Sequence, residues 1–136
     1  MSEMKHYEGT YSYTGKFKHL DDGTNLLEVT EFEYYGKFYQ PFEPLKFKIT
    51  PRPEEGGWLS VTEESIGVCI GGVDFEEALG NALMDAALLY EHLMFTDSPL
   101  EKNAAVVRDK FKHWVVHAID SKAQPFYQSR IKRLWR

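Results

Sequence analysis

A single cysteine, Cys69, is all the sulfhydryl chemistry this 136-residue chain carries. It cannot close an internal disulfide, so the fold must rest on a hydrophobic core, and a reducing, cytoplasmic setting is expected. Long apolar runs are missing as well. The richest helical region is interrupted by Glu76, Glu77, Asp85 and Glu91, which excludes a transmembrane helix. No apolar stretch follows Lys5, so residues 1–7 are not expected to act as a signal peptide. There is no internal repeat and no low-complexity segment. Catalytic motifs are scarce too. No Lys-Ser or Lys-Thr pair follows the glycines at 71–72, as a phosphate loop would require, and the position after His113 is Trp114 where a zinc protease places Glu.

What is present is an ordinary globular composition, 43% hydrophobic and 15% aromatic, at a length that suits one domain over residues 1–136. The formal charge of −5 is unevenly spread. From residue 106 onward eight basic residues face only Asp109 and Asp120, a net +6, which leaves −11 in the first 105 residues. An acidic body favours a basic protein partner and disfavours nucleic acid, except through the basic tail at 121–136. That tail could also dock on the acidic body itself.

The first half of the chain reads as strands. Tyr7, Tyr11 and Tyr13 share one face of a period-two pattern, and residues 21–25 form a turn. Residues 26–39 are aromatic and β-branched, with Gly36 as a bulge or break. Leu45, Phe47 and Ile49 alternate with Lys46, Lys48 and Thr50; Pro51 to Gly57 turns the chain. Short strands follow at 58–62 and 66–70. The second half reads as helical. Asp74, with Glu77 three positions on, has the layout of a capping box, and Phe75, Leu79, Ala82, Leu83, Ala86, Tyr90 and Leu93 repeat on one helical face to about residue 95. Ser98-Pro99-Leu100-Glu101 reads as a second helix start, with an apolar stripe to about residue 120. The expected fold is α+β: an antiparallel sheet of about five strands, then two antiparallel helices packed on one of its faces.

Three places could carry chemistry or binding. Asp109, His113 and His117 fall at four-residue steps on the second helix, where two imidazoles and a carboxylate could hold a metal ion; a solvated helix face is the alternative. Tyr34, Tyr35, Phe38 and Tyr39 form an aromatic run able to dock a peptide or simply to pack the core. Cys69, between Val68 and Ile70, is expected to be a buried structural thiol. No catalytic set and no cofactor site emerges, so the chain reads as a non-enzyme. At Gly71-Gly72 the acids that follow fill the helix N-terminus with negative charge, so these glycines serve close strand-to-helix packing instead of phosphate binding.

From residue 45 to 94 the pieces come in a distinctive order. Strand Leu45 to Ile49 leads to the turn Glu54-Glu55-Gly56-Gly57, the strands 58–61 and 66–70, Gly71-Gly72, and the helix Glu76-Glu77-Ala78-Leu79-Gly80-Asn81-Ala82-Leu83. This stretch resembles the core of the HicB family of antitoxins. The resemblance implies a β-β-β-α unit of the RNase-H-like or double-stranded-RNA-binding type at 45–95, preceded here by an N-terminal strand extension at 1–44. It also implies a non-enzymatic role, occluding a small basic toxin ribonuclease, with a DNA-binding domain added in many members. The chain departs from the family pattern at Ser98, where a second helix is expected in place of a fourth strand, and it shows no helix-turn-helix pattern after residue 95. A small acidic chaperone or immunity-type protein, or a metal-binding protein using Asp109, His113 and His117, is the alternative reading. A homo-oligomer through the sheet edge or the second helix is open.

Overall fold

A computed structural model describes residues 3–7 and 11–118. They form an α+β fold, one antiparallel sheet with two helices. The strands are β1 (Glu3–Tyr7), β2 (Tyr11–His19), β3 (Asn25–Tyr34), β4 (Lys37–Gln40), β5 (Leu45–Arg52), β6 (Trp58–Glu63), β7 (Val68–Gly72) and β8 (Val115–Ala118); the helices are α1 (Phe75–Phe95) and α2 (Lys102–Phe111). The main path runs β1-β2-β3-β5-β6-β7. β4 hangs on β3, and β8 pairs with β4.

Eight strands replace the expected five or so, for identifiable reasons. The expected strand through Tyr7, Tyr11 and Tyr13 is split into β1 and β2, which pair antiparallel with Tyr7 opposite Tyr11. The stretch 26–39 breaks at Tyr35 (φ 45°) and Gly36 (φ 78°). Two successive residues with positive φ make a tight two-residue hairpin turn of the kind whose twist matches the flanking strands, so Gly36 is a turn residue and not a bulge. At residues 21–24 the expected turn forms: Leu20 N–H donates to the Thr24 carbonyl at 2.8 Å, and Thr24 N–H donates to the Asp22 carboxylate at 2.9 Å. β5 keeps its alternation, with Leu45, Phe47 and Ile49 buried between exposed Lys46 and Lys48. Its pairing with β3 stops at Ile49, so Pro51 sits where only β6 lies alongside and a missing N–H is tolerated.

The Gly71-Gly72 pair closes β7 and does not itself form the turn; the chain turns at Val73 and Asp74. Asp74 caps α1 by accepting from Glu77 N–H at 2.8 Å. Ala78, Leu79, Ala82, Leu83, Ala86, Ala87, Tyr90 and Leu93 face the sheet and are buried. The sheet curls round this helix, so that Tyr11 of β2 and Gly72 of β7 both touch it: the Tyr11 hydroxyl donates to the Glu76 carbonyl at 2.7 Å. At Gly72 the approach is closest. A Cβ there would lie 2.5 Å from Ala78 N, inside van der Waals contact with helix backbone that cannot move away.

The second helix is shorter than expected. Ser98 does not cap it; its N–H bonds Thr96 Oγ1 at 3.2 Å, and the helix starts after Glu101. It also stops at Phe111 instead of continuing to 120. His113 N–H turns back to the Lys110 carbonyl and Trp114 N–H to that of Phe111, which tightens the end. The physical reason is an aromatic cluster. Trp114 stacks on Tyr90 (5.8 Å) and meets Phe111 edge-on (4.7 Å), while Phe32 stacks on Tyr39 (4.8 Å) and reaches Trp114 edge-on (6.2 Å). A continuing helix would carry Trp114 away from these rings, whereas a turn leaves it buried and sends the β-branched pair Val115-Val116 into β8 beside β4. The expected basic tail at 121–136 lies outside the described residues.

Gly72→Ala is expected to cost about 1–3 kcal/mol of stability, as overpacking against fixed backbone does. Urea denaturation checks this, and a variant as stable as the parent would show that the β7–α1 approach is slack.

Candidate functional site

Among the described residues, only one face of the sheet is covered by helix. Its other face carries Lys16, Glu28 and Lys46 in one cross-strand row and Lys18 and Lys48 in the next. Lys18 pairs with Glu28 at 2.9 Å. That hydrogen bond holds the Glu28 carboxyl below its ordinary value, burial opposing it and the charges of Lys18, Lys16 and Lys46 adding to it. The negative charge of the body is therefore not uniform. Lysines gather on the open sheet face, and carboxylates gather at the start of α1.

Two recesses stand out. The larger, about 590 Å³, lies where β5 begins, the β6–β7 turn passes and α2 ends, and it is lined among others by Phe42, Lys46, Glu63, Lys110, His113 and Trp114. Glu63, 2% exposed, sits at its inner wall and is fully engaged. It accepts from Lys46 N–H, from Ser65 N–H at 2.7 Å and from the Ser65 hydroxyl. Lys110 Nζ donates to the Ser65 carbonyl at 2.8 Å and ties α2 to the same turn. Ser65, Glu63 and His113 thus share one cleft, yet the hydroxyl donates to the carboxylate and the imidazole lies against Phe42, ring centres 5.8 Å apart. No nucleophile–base hydrogen bond links them. The carboxylate is a structural acceptor that joins the start of β5 to the β6–β7 turn.

The second recess, about 380 Å³, is chemically different. Tyr11, Tyr34 and Tyr35 form one wall; Asp74, Glu76, Glu77, Gly80, Asn81 and Met84 of the α1 start form the other. Tyr34 and Tyr35 meet edge-on at 4.7 Å. Burial, with the neighbouring Tyr35 adding, raises the Tyr34 hydroxyl above its ordinary value, so it stays a neutral donor. Asp74 is committed to its cap, but the Glu76 and Glu77 carboxylates have no partner among the described residues. Asn81 Nδ2 donates to the Gly71 carbonyl at 3.0 Å and fixes this side of the helix to β7.

The residues singled out from sequence fare unevenly. Asp109, His113 and His117 do not form a line on one helix, because α2 ends at Phe111. Asp109 pairs with Lys112 at 3.1 Å, His113 rests on Phe42, and His117 sits on β8 against its cross-strand neighbour Phe38 at 5.2 Å. Among the described residues no three His, Cys, Asp or Glu side chains gather where a metal ion could sit. Of the aromatic run, Tyr34 and Tyr35 line the acidic recess, whereas Phe38 faces His117 and Tyr39 is core, 2% exposed, its hydroxyl donating to Glu91 at 3.3 Å. Cys69 is exposed and not buried: it lies opposite Thr62 on the uncovered sheet face, while Val68 beside it points into the core. Sequence reasoning missed Tyr11 as a wall of the recess and read Glu76 and Glu77 only as helix-end charge. No local pattern links positions so far apart in the chain.

The chain matches no protein-family model, no curated protein and no solved structure. No helix among the described residues is long and apolar enough to cross a membrane.

Glu63→Ala is expected to cost about 2–3 kcal/mol, because it strands buried donors; a melting temperature equal to the parent's would contradict the structural role. A second expectation concerns alkaline pH. Burial first, then the Glu91 charge, raises the Tyr39 hydroxyl well above its ordinary 10.0, and burial raises Tyr90 likewise. Above pH 10 the unfolded chain loses these protons before the folded one does, so stability is full below that pH and falls as pH rises beyond it. Melting followed from pH 8 to 11 should show the decline, less steep in Tyr39→Phe.

Proposed function

We propose that the protein is a non-enzymatic binding module that takes a basic segment of a partner protein into the groove between Tyr11, Tyr34 and Tyr35 and the start of α1. One observation carries this reading. Glu76 and Glu77, whose carboxylates have no partner among the described residues, line the same recess as Tyr11, Tyr34 and Tyr35, and carboxylates beside aromatic rings are the combination that holds a guanidinium or ammonium group by charge and by a π-face. The role is antitoxin-like in the sense implied by the resemblance of residues 45–94 to the HicB core: an acidic, aromatic surface covering a small basic protein. A chaperone or immunity-type protein would use the same surface chemistry, and the identity of the basic partner separates the three. The N-terminal strands β1 to β4 then serve as the extension that supplies the tyrosine wall.

The groove can be tested without disturbing the fold, since neither the Glu76 nor the Glu77 side chain makes the helix cap. A fluorescently labelled oligo-arginine peptide is expected to bind the protein at low salt, and Glu76→Gln with Glu77→Gln to weaken it roughly threefold to tenfold, the effect of one or two screened ion pairs. Tyr35→Ala should weaken it further. Anisotropy titration reads all three, and equal affinity in the parent and the double variant would sink the proposal.

A further inference from the structure

The position of β8 gives the groove a first occupant. β8 runs antiparallel to β4 with Val115 opposite Gln40 and Ala118 opposite Lys37. It therefore heads toward the Tyr35-Gly36 turn, and Ala118 comes level with a residue only two places from Tyr35, roughly 7 Å of strand. Tyr34 and Tyr35 are the rim of the acidic recess. The described part of β8 thus ends beside that rim. The composition of the chain beyond Ala118 is complementary to the recess: residues 119–136 hold Lys122, Arg130, Lys132, Arg133 and Arg136 against Asp120 alone. Twelve residues lead from Ala118 to Arg130, a reach of up to about 40 Å when extended, so the basic run at 130–136 can enter the groove without strain.

From this juxtaposition we infer that the C-terminal basic segment of the chain docks in its own Tyr11–Tyr34–Tyr35 groove, with Glu76 and Glu77 receiving Arg130, Lys132 or Arg133. The inference rests on the groove being a site for basic segments, as proposed above, and adds its regulation. The tethered segment is present at a high effective concentration, so a partner's basic segment binds by displacing it and with an affinity lowered by that competition.

Two measurements on the full chain test this. Carbodiimide coupling joins a lysine to a carboxylate only at salt-bridge distance, so the monomer is expected to yield a Lys132 or Lys122 cross-link to Glu76 or Glu77, found by peptide mass spectrometry. It should vanish near 1 M salt, where the screening length is about 3 Å. Second, a full-length variant with Arg130→Gln, Lys132→Gln, Arg133→Gln and Arg136→Gln should bind the labelled oligo-arginine peptide roughly threefold to tenfold more tightly than the parent, because the competitor is gone. Absence of the cross-link, its appearance only in a covalent dimer, or equal peptide affinity in the two chains overturns the inference and leaves the groove's proposed function standing. A cross-link in the monomer together with no peptide binding by either chain supports the inference and overturns that function instead.

Discussion

Everything in this fold is arranged around how closely α1 lies in the hollow of the sheet. The alanines at 78, 82, 86 and 87 give the helix a buried face that is narrow at its base, and Gly72 offers no side chain where strand and helix backbone nearly touch. With the helix seated this low, the ends of β2 and β3 can fold over it and bring Tyr11 to the Glu76 carbonyl. The tyrosine-walled recess is a by-product of that closure. It exists because the sheet curls far enough to face the helix start but stops short of sealing it. A bulkier residue at 72 would lift the helix and separate the two walls together.

Charge is sorted by the same geometry. Because α1 covers one face only, the lysines of β2 and β5 are left on the opposite, open face, where they crowd Glu28. The acids of the α1 first turn collect on the helix side, near the positive end of the helix dipole that favours them. A net charge taken over a long stretch of sequence hides this division. Two surfaces of opposite sign thus lie on one small domain.

Local signals in the sequence were reliable where local physics decides the structure. The alternation at Leu45, Phe47 and Ile49, the turn at residues 21–24 and the Asp74 cap depend on near neighbours and appear as expected. Readings failed where a distant contact decides. The apolar stripe through Phe111 and Trp114 fits a continuing helix, yet Trp114 belongs to a cluster with Tyr90 and Phe32, and that packing ends the helix. Val115 and Val116 were the available hint of a strand. Cys69 looked buried because its neighbours are apolar; only the knowledge that one sheet face lies open places it outside. The recess joins residues 11, 34–35 and 74–84, a conjunction that no pattern within the chain announces.

The β4–β8 pair also shapes how the molecule comes together. Phe38 and His117 meet across the sheet with roughly 80 residues between them, a contact with a far larger loop-closure cost than the hairpins β2–β3 and β5–β6 carry. β8 is short, largely exposed and held by four residue pairings with β4 and by Val116 against the core. Such an element forms a cooperative unit of its own that opens well below the free energy of global unfolding. In hydrogen exchange its amides would trade with solvent ahead of those of β5 and β6. β8 can therefore be released while the curled sheet and α1 stay folded.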